Sequence, residues 1–206
     1  MTKAQACAAH DGAVPSDVSR RPLCRRYVLG LFDIAVVRRR DADGVHDLPV
    51  HWAFGWLADG ECEPLGVWIE PGAESAGPLR LLADLKARGL ERIRHVAGTD
   101  AGQLREHAAA AFSRAGGGSS VERIVTEASA ASRRHVPASL ERAAEDVREA
   151  LTRAIRRRGS FASEAAALDF ISGALQRTER RLDRERAIAK VRPRHESGAQ
   201  MVPPGF

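Results

Sequence analysis

Cysteine is scarce in this sequence, and the three that occur, Cys7, Cys24 and Cys62, are scattered. They suit neither a disulfide framework nor a Cys-x-x-Cys zinc site, and they read as reduced thiols of a cytosolic protein. Aromatic residues make up 5% of the 206 positions, so the core must rest chiefly on aliphatic side chains. No stretch comes near the roughly 18 uninterrupted apolar residues that a membrane helix needs. The opening segment, MTKAQACAAHDGAVPSDVSRRP, has no apolar region of the kind that marks a secretory signal. The expectation is a cytoplasmic protein with no membrane partner. His46, His51, His95, His107 and His135 have no i,i+4 spacing among themselves, which argues against a zinc site. Ser119 and Ser120 follow three glycines, but no Gly-Lys-Ser/Thr comes after them, so they do not form a phosphate loop.

What is present is charge, unevenly spread. Residues 1–40 carry eight basic and three acidic groups, residues 41–150 twelve and eighteen, and residues 151–206 twelve and six. Basic ends around an acidic middle suit a polyanion gripped beside an acidic, metal-binding centre. Arginine-rich flanks are equally expected from GC-rich coding, since arginine far outnumbers lysine here.

Residues 1–22 are small, polar and interrupted by proline, and read as a disordered tail with order beginning near Cys24. The dense apolar run in RRYVLGLFDIAVVRRR (25–40) has the pattern of a central strand buried on both faces. DADG (41–44) signals a turn. LPVHWAFGWLAD (48–59) and EPLGVWIE (63–70) flank Asp59-Gly60, a hairpin signal, so the three strands should form a meander. Trp52 and Trp56 share a face by the period of two, and core packing suits them better than base stacking. The period then lengthens. Leu79, Leu82 and Leu85 predict a helix over 75–88, with Gly89 where a terminating glycine belongs. A strand at 91–100, a helix at 101–115 and a strand at 121–129 follow. Leu140, Ala144, Val147, Leu151 and Ile155 mark a helix, with Ser139 as its cap and Gly159 at its end. A last helix runs from about Ser163 towards Lys190 and stops by Pro193. The order β-β-β-α-β-α-β-α-α is that of an α/β, ribonuclease-H-like mixed sheet followed by C-terminal helices. It divides the chain into a tail (1–22), a core (23–136), a helical segment (137–192) and a second disordered tail (193–206).

Four blocks of sequence carry a more specific likeness. In GLFDIAVVRRR (30–40) an aspartate precedes an alternating apolar stretch that ends in arginines. WAFGWLADGECEPLGVWIEPGAES (52–75) combines a small-residue strand, an Asp-Gly turn and a Leu-Gly-x-Trp strand. LRLLADLKARGLERIRHVAGTDAGQL (79–104) contains Asp-Leu-Lys-x-Arg-Gly, with a second aspartate, Asp100, some ten residues later. SFASEAAALDFISGAL (160–175) is a helical block. Over about residues 28–180 the chain thereby resembles the catalytic core of Mutator-type insertion-sequence transposases. The resemblance implies a bacterial protein acting on DNA, with Asp33 and Asp100 as catalytic, Mg²⁺-binding residues, and self-association on paired DNA ends. Two Mg²⁺ ions about 3.5–4 Å apart can activate an attacking oxygen and stabilise a leaving one in phosphodiester cleavage and strand transfer. An aspartate inside LGLFDIAVV is costly unless something pairs with it. The plainer use of Asp33 is as a half-exposed residue on an edge strand, and that of Asp100 is as a helix cap.

The sequence also departs from the family pattern. No third acid appears in a recognisable motif. Glu164, Asp169 and Glu179 read as solvated helix-face charges. The family's Cys-x-x-His, with Arg-Asn soon after, corresponds to VERIVTEASAA, where Ile124 and Glu127 stand. The helical DNA-binding region that precedes the family's core is replaced by coil. These departures imply a truncated or inactive remnant of a transposase. The alternative is a non-catalytic protein that binds DNA or an intact transposase. Arg38, Arg39, Arg40, Arg156, Arg157 and Arg158 are the candidates for phosphate contact.

Overall fold

A computed structural model describes residues 18–69, 77–98 and 137–191. The expected helix at 101–115, the strand at 121–129 and Asp100 lie outside the described residues. Strand β1 (Arg26–Asp41) is long and central. It turns through Ala42 and Asp43 into β2 (Gly44–Trp56), with Asp41 paired to Gly44. This second strand begins four residues earlier than LPVHWAFGW suggests, because the tight turn leaves Val45, His46 and Asp47 in register with Arg40, Arg39 and Arg38. Asp59-Gly60 closes the next hairpin. Gly60 takes φ +84°, and the Leu57 amide donates to the Glu61 carbonyl at 2.7 Å. Strand β3 (Cys62–Ile69) then pairs antiparallel with β2.

Helix α1 (Gly77–Ala87) follows, and Gly89 at φ +104° ends its last turn. Strand β4 (Arg92–Ala97) joins the other edge of β1 in parallel, giving the order β3-β2-β1-β4. Helix α2 (Ala138–Arg158) and helix α3 (Glu164–Val191) flank a two-residue strand, β5 (Ser160–Phe161), parallel to the end of β1. The whole is an α/β arrangement on a mixed five-stranded sheet with C-terminal helices. Gly159 ends α2 as expected, at φ +83°. Ser139 does not cap it. The helix starts at Ala138, with Pro137 before it and no side-chain cap, so Ser139 lies inside the first turn. Ser163 serves that purpose for α3, its Oγ accepting from the Ala166 amide at 3.1 Å.

The sheet is covered on both faces. On one face Leu81, Leu82 and Leu85 of α1 pack with Phe32, Ala53, Leu65 and Ile93. Each such leucine contributes on the order of 1.5–3 kcal/mol by leaving water. On the other face Val147 and Leu151 of α2, with Ala167, Ile171 and Leu175 of α3, cover Leu29, Leu31, Trp52, Phe54 and Trp56. Trp52 and Trp56 are therefore core residues on a common face. Trp68 lies on the opposite face and donates its indole N–H to Asp84 at 3.2 Å.

Order extends upstream of Cys24. Val18 is fully buried in a 3₁₀ turn (Val18–Arg20). The Arg88 guanidinium holds this segment by donating to the carbonyls of Val18 and Arg21, each at 2.9 Å. Cys24 and Cys62 are buried and not in a disulfide.

Candidate functional site

The β4-side edge of β1 is not continuous. Pairing with β4 ends at Leu31, and pairing with β5 begins at Arg38. Among the described residues, no strand covers the edge between them. Asp33 stands at the start of that gap, on the face of Leu29 and Leu31, and is 7% exposed. Its Oδ1 accepts the Ile34 amide at 3.0 Å, giving a partner to a backbone N–H beside the gap. Its Oδ2 accepts from Arg148 Nε at 2.6 Å, a charge-assisted bond across 115 positions of sequence. Arg148 in turn bonds Glu145 at 3.0 Å. Burial alone would lower the Arg148 pKa, but its bonds to Asp33 and Glu145 outweigh that and hold the guanidinium above its usual value.

A groove of about 260 Å³ opens beside this pair. Asp33 and Trp52 form its sheet wall, while Arg148, Thr152, Ile155 and Arg156 of α2 form the other. Beside Phe32 the chain leaves β4 through Gly98, at φ +113°. A Cβ at Gly98 would come within 1.8 Å of the Phe32 carbonyl oxygen, so only glycine lets the chain pass so close to the residue preceding Asp33.

The six arginines proposed from sequence do not form one surface. Arg38 and Arg40 are exposed near the end of β1, whereas Arg39 bonds Asp41 and Glu164, each at 2.8 Å. Arg156 faces the Asp33 groove, and Arg157 and Arg158 face a different one between α2 and α3. Glu179 is not a solvated helix-face charge. It is 7% exposed and pairs with Arg21 at 3.4 Å, because α3 lies against β3 and the turn preceding β1. Glu164 and Asp169 are exposed, as expected of helix-face charges. Sequence reasoning missed Arg148. Its only signal was its place next to Val147, on a helix whose apolar stripe had to meet the sheet.

Among the described residues, no three His, Cys, Asp or Glu side chains converge in a way that could hold a metal ion. No helix among them is long and apolar enough to cross a membrane. The structure thus defines an α/β protein whose candidate centre is one buried carboxylate at a stretch of sheet edge that no strand covers among the described residues, under an arginine-bearing helix. The chain belongs to the Mutator family of transposases, whose family model matches residues 11–145. It is 41% identical over 73 residues to a probable transposase for an ISRM3-like insertion sequence from Sinorhizobium fredii (strain NBRC 101917 / NGR234). The transposase for insertion sequence ISRM3 from Rhizobium meliloti (strain 1021) matches to the same extent. In both cases the matched stretch is 35% of this chain and 18% of the relative.

Proposed function

We propose that this chain acts on DNA in transposition, through a ribonuclease-H-like core in which Asp33 is the first of the acids that hold Mg²⁺. The observation that carries this reading is the position of Asp33, buried mid-strand on β1 two residues beyond the last one paired with the parallel strand β4. The antiparallel meander β3-β2-β1 with β4 parallel to β1 has the strand order expected of such a core. Asp100 lies outside the described residues and enters this reading as the second acid through the family resemblance alone.

The donor chemistry suits a hard cation. Mg²⁺ prefers carboxylate oxygen and keeps several waters, so Asp33 and Asp100 would serve as its protein ligands alongside water and DNA phosphate. When bound, the metal would activate the attacking oxygen and stabilise the leaving one. This chain's own residues do the rest. Arg148 exchanges its bond to Asp33 for a bond to phosphate. Arg156, on the same wall of the groove, offsets phosphate charge. Transposition works on paired DNA ends, so the working partners are DNA and a second copy of this chain or an intact transposase, in a bacterial cytoplasm.

One observation favours a second reading, a non-catalytic DNA- or transposase-binding protein on the same scaffold. Asp33 already holds a cation, the Arg148 guanidinium, at 2.6 Å. The two readings separate when Mg²⁺ or Mn²⁺ is titrated into the protein and its Asp33→Ala variant with a labelled duplex carrying candidate element ends. Metal-dependent cleavage that disappears in the variant supports the enzyme. Absence of cleavage, with salt-sensitive DNA binding equal in both proteins, leaves the binding protein.

A further inference from the structure

A second groove, of about 610 Å³, runs between α2 and α3. Its floor is made of small side chains. Ala150 and Ala154 lie one turn apart on α2, and Ala174 and Thr178 one turn apart on α3. Its walls are arginine. Arg153 and Arg157 rise from α2 and Arg177 and Arg181 from α3, each pair four residues apart and so roughly 6 Å along its helix axis. Arg158 adds a fifth guanidinium at the end of α2.

No acidic residue lines this groove. Glu149 and Glu185 approach Arg153 and Arg181 from the same helices, each at 3.8 Å, as exposed pairs one turn apart. Such pairs are worth little and leave the guanidinium edges available. Arg157 and Arg158 make no ion pair among the described residues. Arg177 is held over the Phe170 ring, 6.0 Å from its centroid. Arg181 Nη2 is shielded from solvent and has no hydrogen-bond partner. Five like charges facing one trough repel one another, and a buried donor without an acceptor is costly, so the arrangement suits an incoming polyanion.

We infer that the α2–α3 groove binds the phosphate backbone of duplex DNA, a role that rests on the DNA reading above and adds to it a surface separate from Asp33. Two facing rows of guanidinium groups spaced by a helical turn match a linear array of phosphates rather than a single anion. Contacts from these guanidinium groups to phosphate oxygens fix the position of a duplex without reading its sequence, so the expected binding is insensitive to sequence.

The test uses the full chain and a labelled random-sequence duplex, with fluorescence anisotropy read over a range of salt. One variant carries Arg153→Gln, Arg157→Gln, Arg177→Gln and Arg181→Gln. A control of equal charge carries Arg25→Gln, Arg26→Gln, Arg80→Gln and Arg94→Gln. The groove variant should weaken binding on the order of a hundredfold near physiological salt and flatten the salt slope by about three to four. The control should change affinity only a fewfold. Equal losses in both variants, or affinity retained in the groove variant, overturn the groove and leave the DNA reading standing. No binding by the unaltered protein overturns both. If circular dichroism shows the fourfold variant unfolded, Arg157→Gln and Arg177→Gln singly decide the matter, each lowering the slope by about one if the groove binds and by nothing if it does not.

Discussion

Among the described residues two carboxylates are buried in the sheet, Asp33 on β1 and Glu63 on β3, and of these Asp33 alone has the surroundings of a site. Glu63 is 2% exposed and sealed into a local network. It accepts from the Tyr27 hydroxyl at 2.6 Å, while the same hydroxyl accepts the Cys24 amide at 3.0 Å, and Arg21 stands 4.0 Å away. Asp33 is nearly as buried, but its partner Arg148 is a third exposed and both border an open groove. Burial with every neighbour fixed makes a structural strut. Burial beside a groove, with a partner that can turn towards water, leaves a carboxylate able to exchange ligands.

The largest expected effect follows from the closed network. Glu63→Ala should cost about 3–5 kcal/mol in urea unfolding, since it strands the Tyr27 hydroxyl and opens a hole at the edge of the core. A loss under about 1 kcal/mol would place Glu63 in the same class as Asp33 and break the contrast.

The next effect is one of pH. Burial, then the charge of Glu63 and its hydrogen bond, push the Tyr27 hydroxyl far above its ordinary value of 10.0. The unfolded chain therefore releases this proton near pH 10 while the folded protein keeps it. Stability is fully present below that pH and falls as pH rises through it, by up to about 1.4 kcal/mol per unit. Unfolding curves at pH 8 and above pH 10 should show this alkaline limb in the unaltered protein. It should be absent from Tyr27→Phe.

Asp33 should behave differently. With Arg148 a third exposed, Asp33→Asn is expected to cost about 1 kcal/mol or less, because the freed guanidinium rehydrates. A double-mutant cycle with Arg148→Gln measures the coupling directly. A coupling above about 3 kcal/mol would make the pair a structural strut like Glu63. The smallest effect belongs to the end of β1. Arg39→Ala breaks bonds to Asp41 and Glu164, but all three side chains are roughly a third to a half exposed, so a loss of a few tenths of a kcal/mol is expected in thermal unfolding.

Much of the frame was legible in the residues themselves. The dense apolar run around Asp33 marked β1 as a buried strand, in which an aspartate needs a partner. The Asp-Gly turn, Gly89, Gly159 and Ser163 marked boundaries that the structure keeps to within a residue or two. Ser139 misled because a capping residue type says nothing about which neighbour starts the helix, and Pro137, with its fixed φ, fits just before a helix start. Glu179 misled because the apolar period of α3 did not reveal how far that helix lies across β3.

Sequence alone therefore determined β1 to β4, their turns, the shared face of Trp52 and Trp56 and the family resemblance, but not β5, since Ser160 and Phe161 read as the start of a helical block and pair instead with Arg38 and Arg39. The features it determined depend on steric and solvation rules that act over a few neighbouring residues. Tertiary structure decided which charges meet: Arg148 with Asp33, Arg21 with Glu179, and five arginines around one groove. The reason is distance along the chain. A periodic pattern fixes which way a side chain points, but not where a helix more than a hundred residues away comes to rest. Its resting place is set by how its apolar stripe packs on the sheet, and the ion pairs follow from that packing.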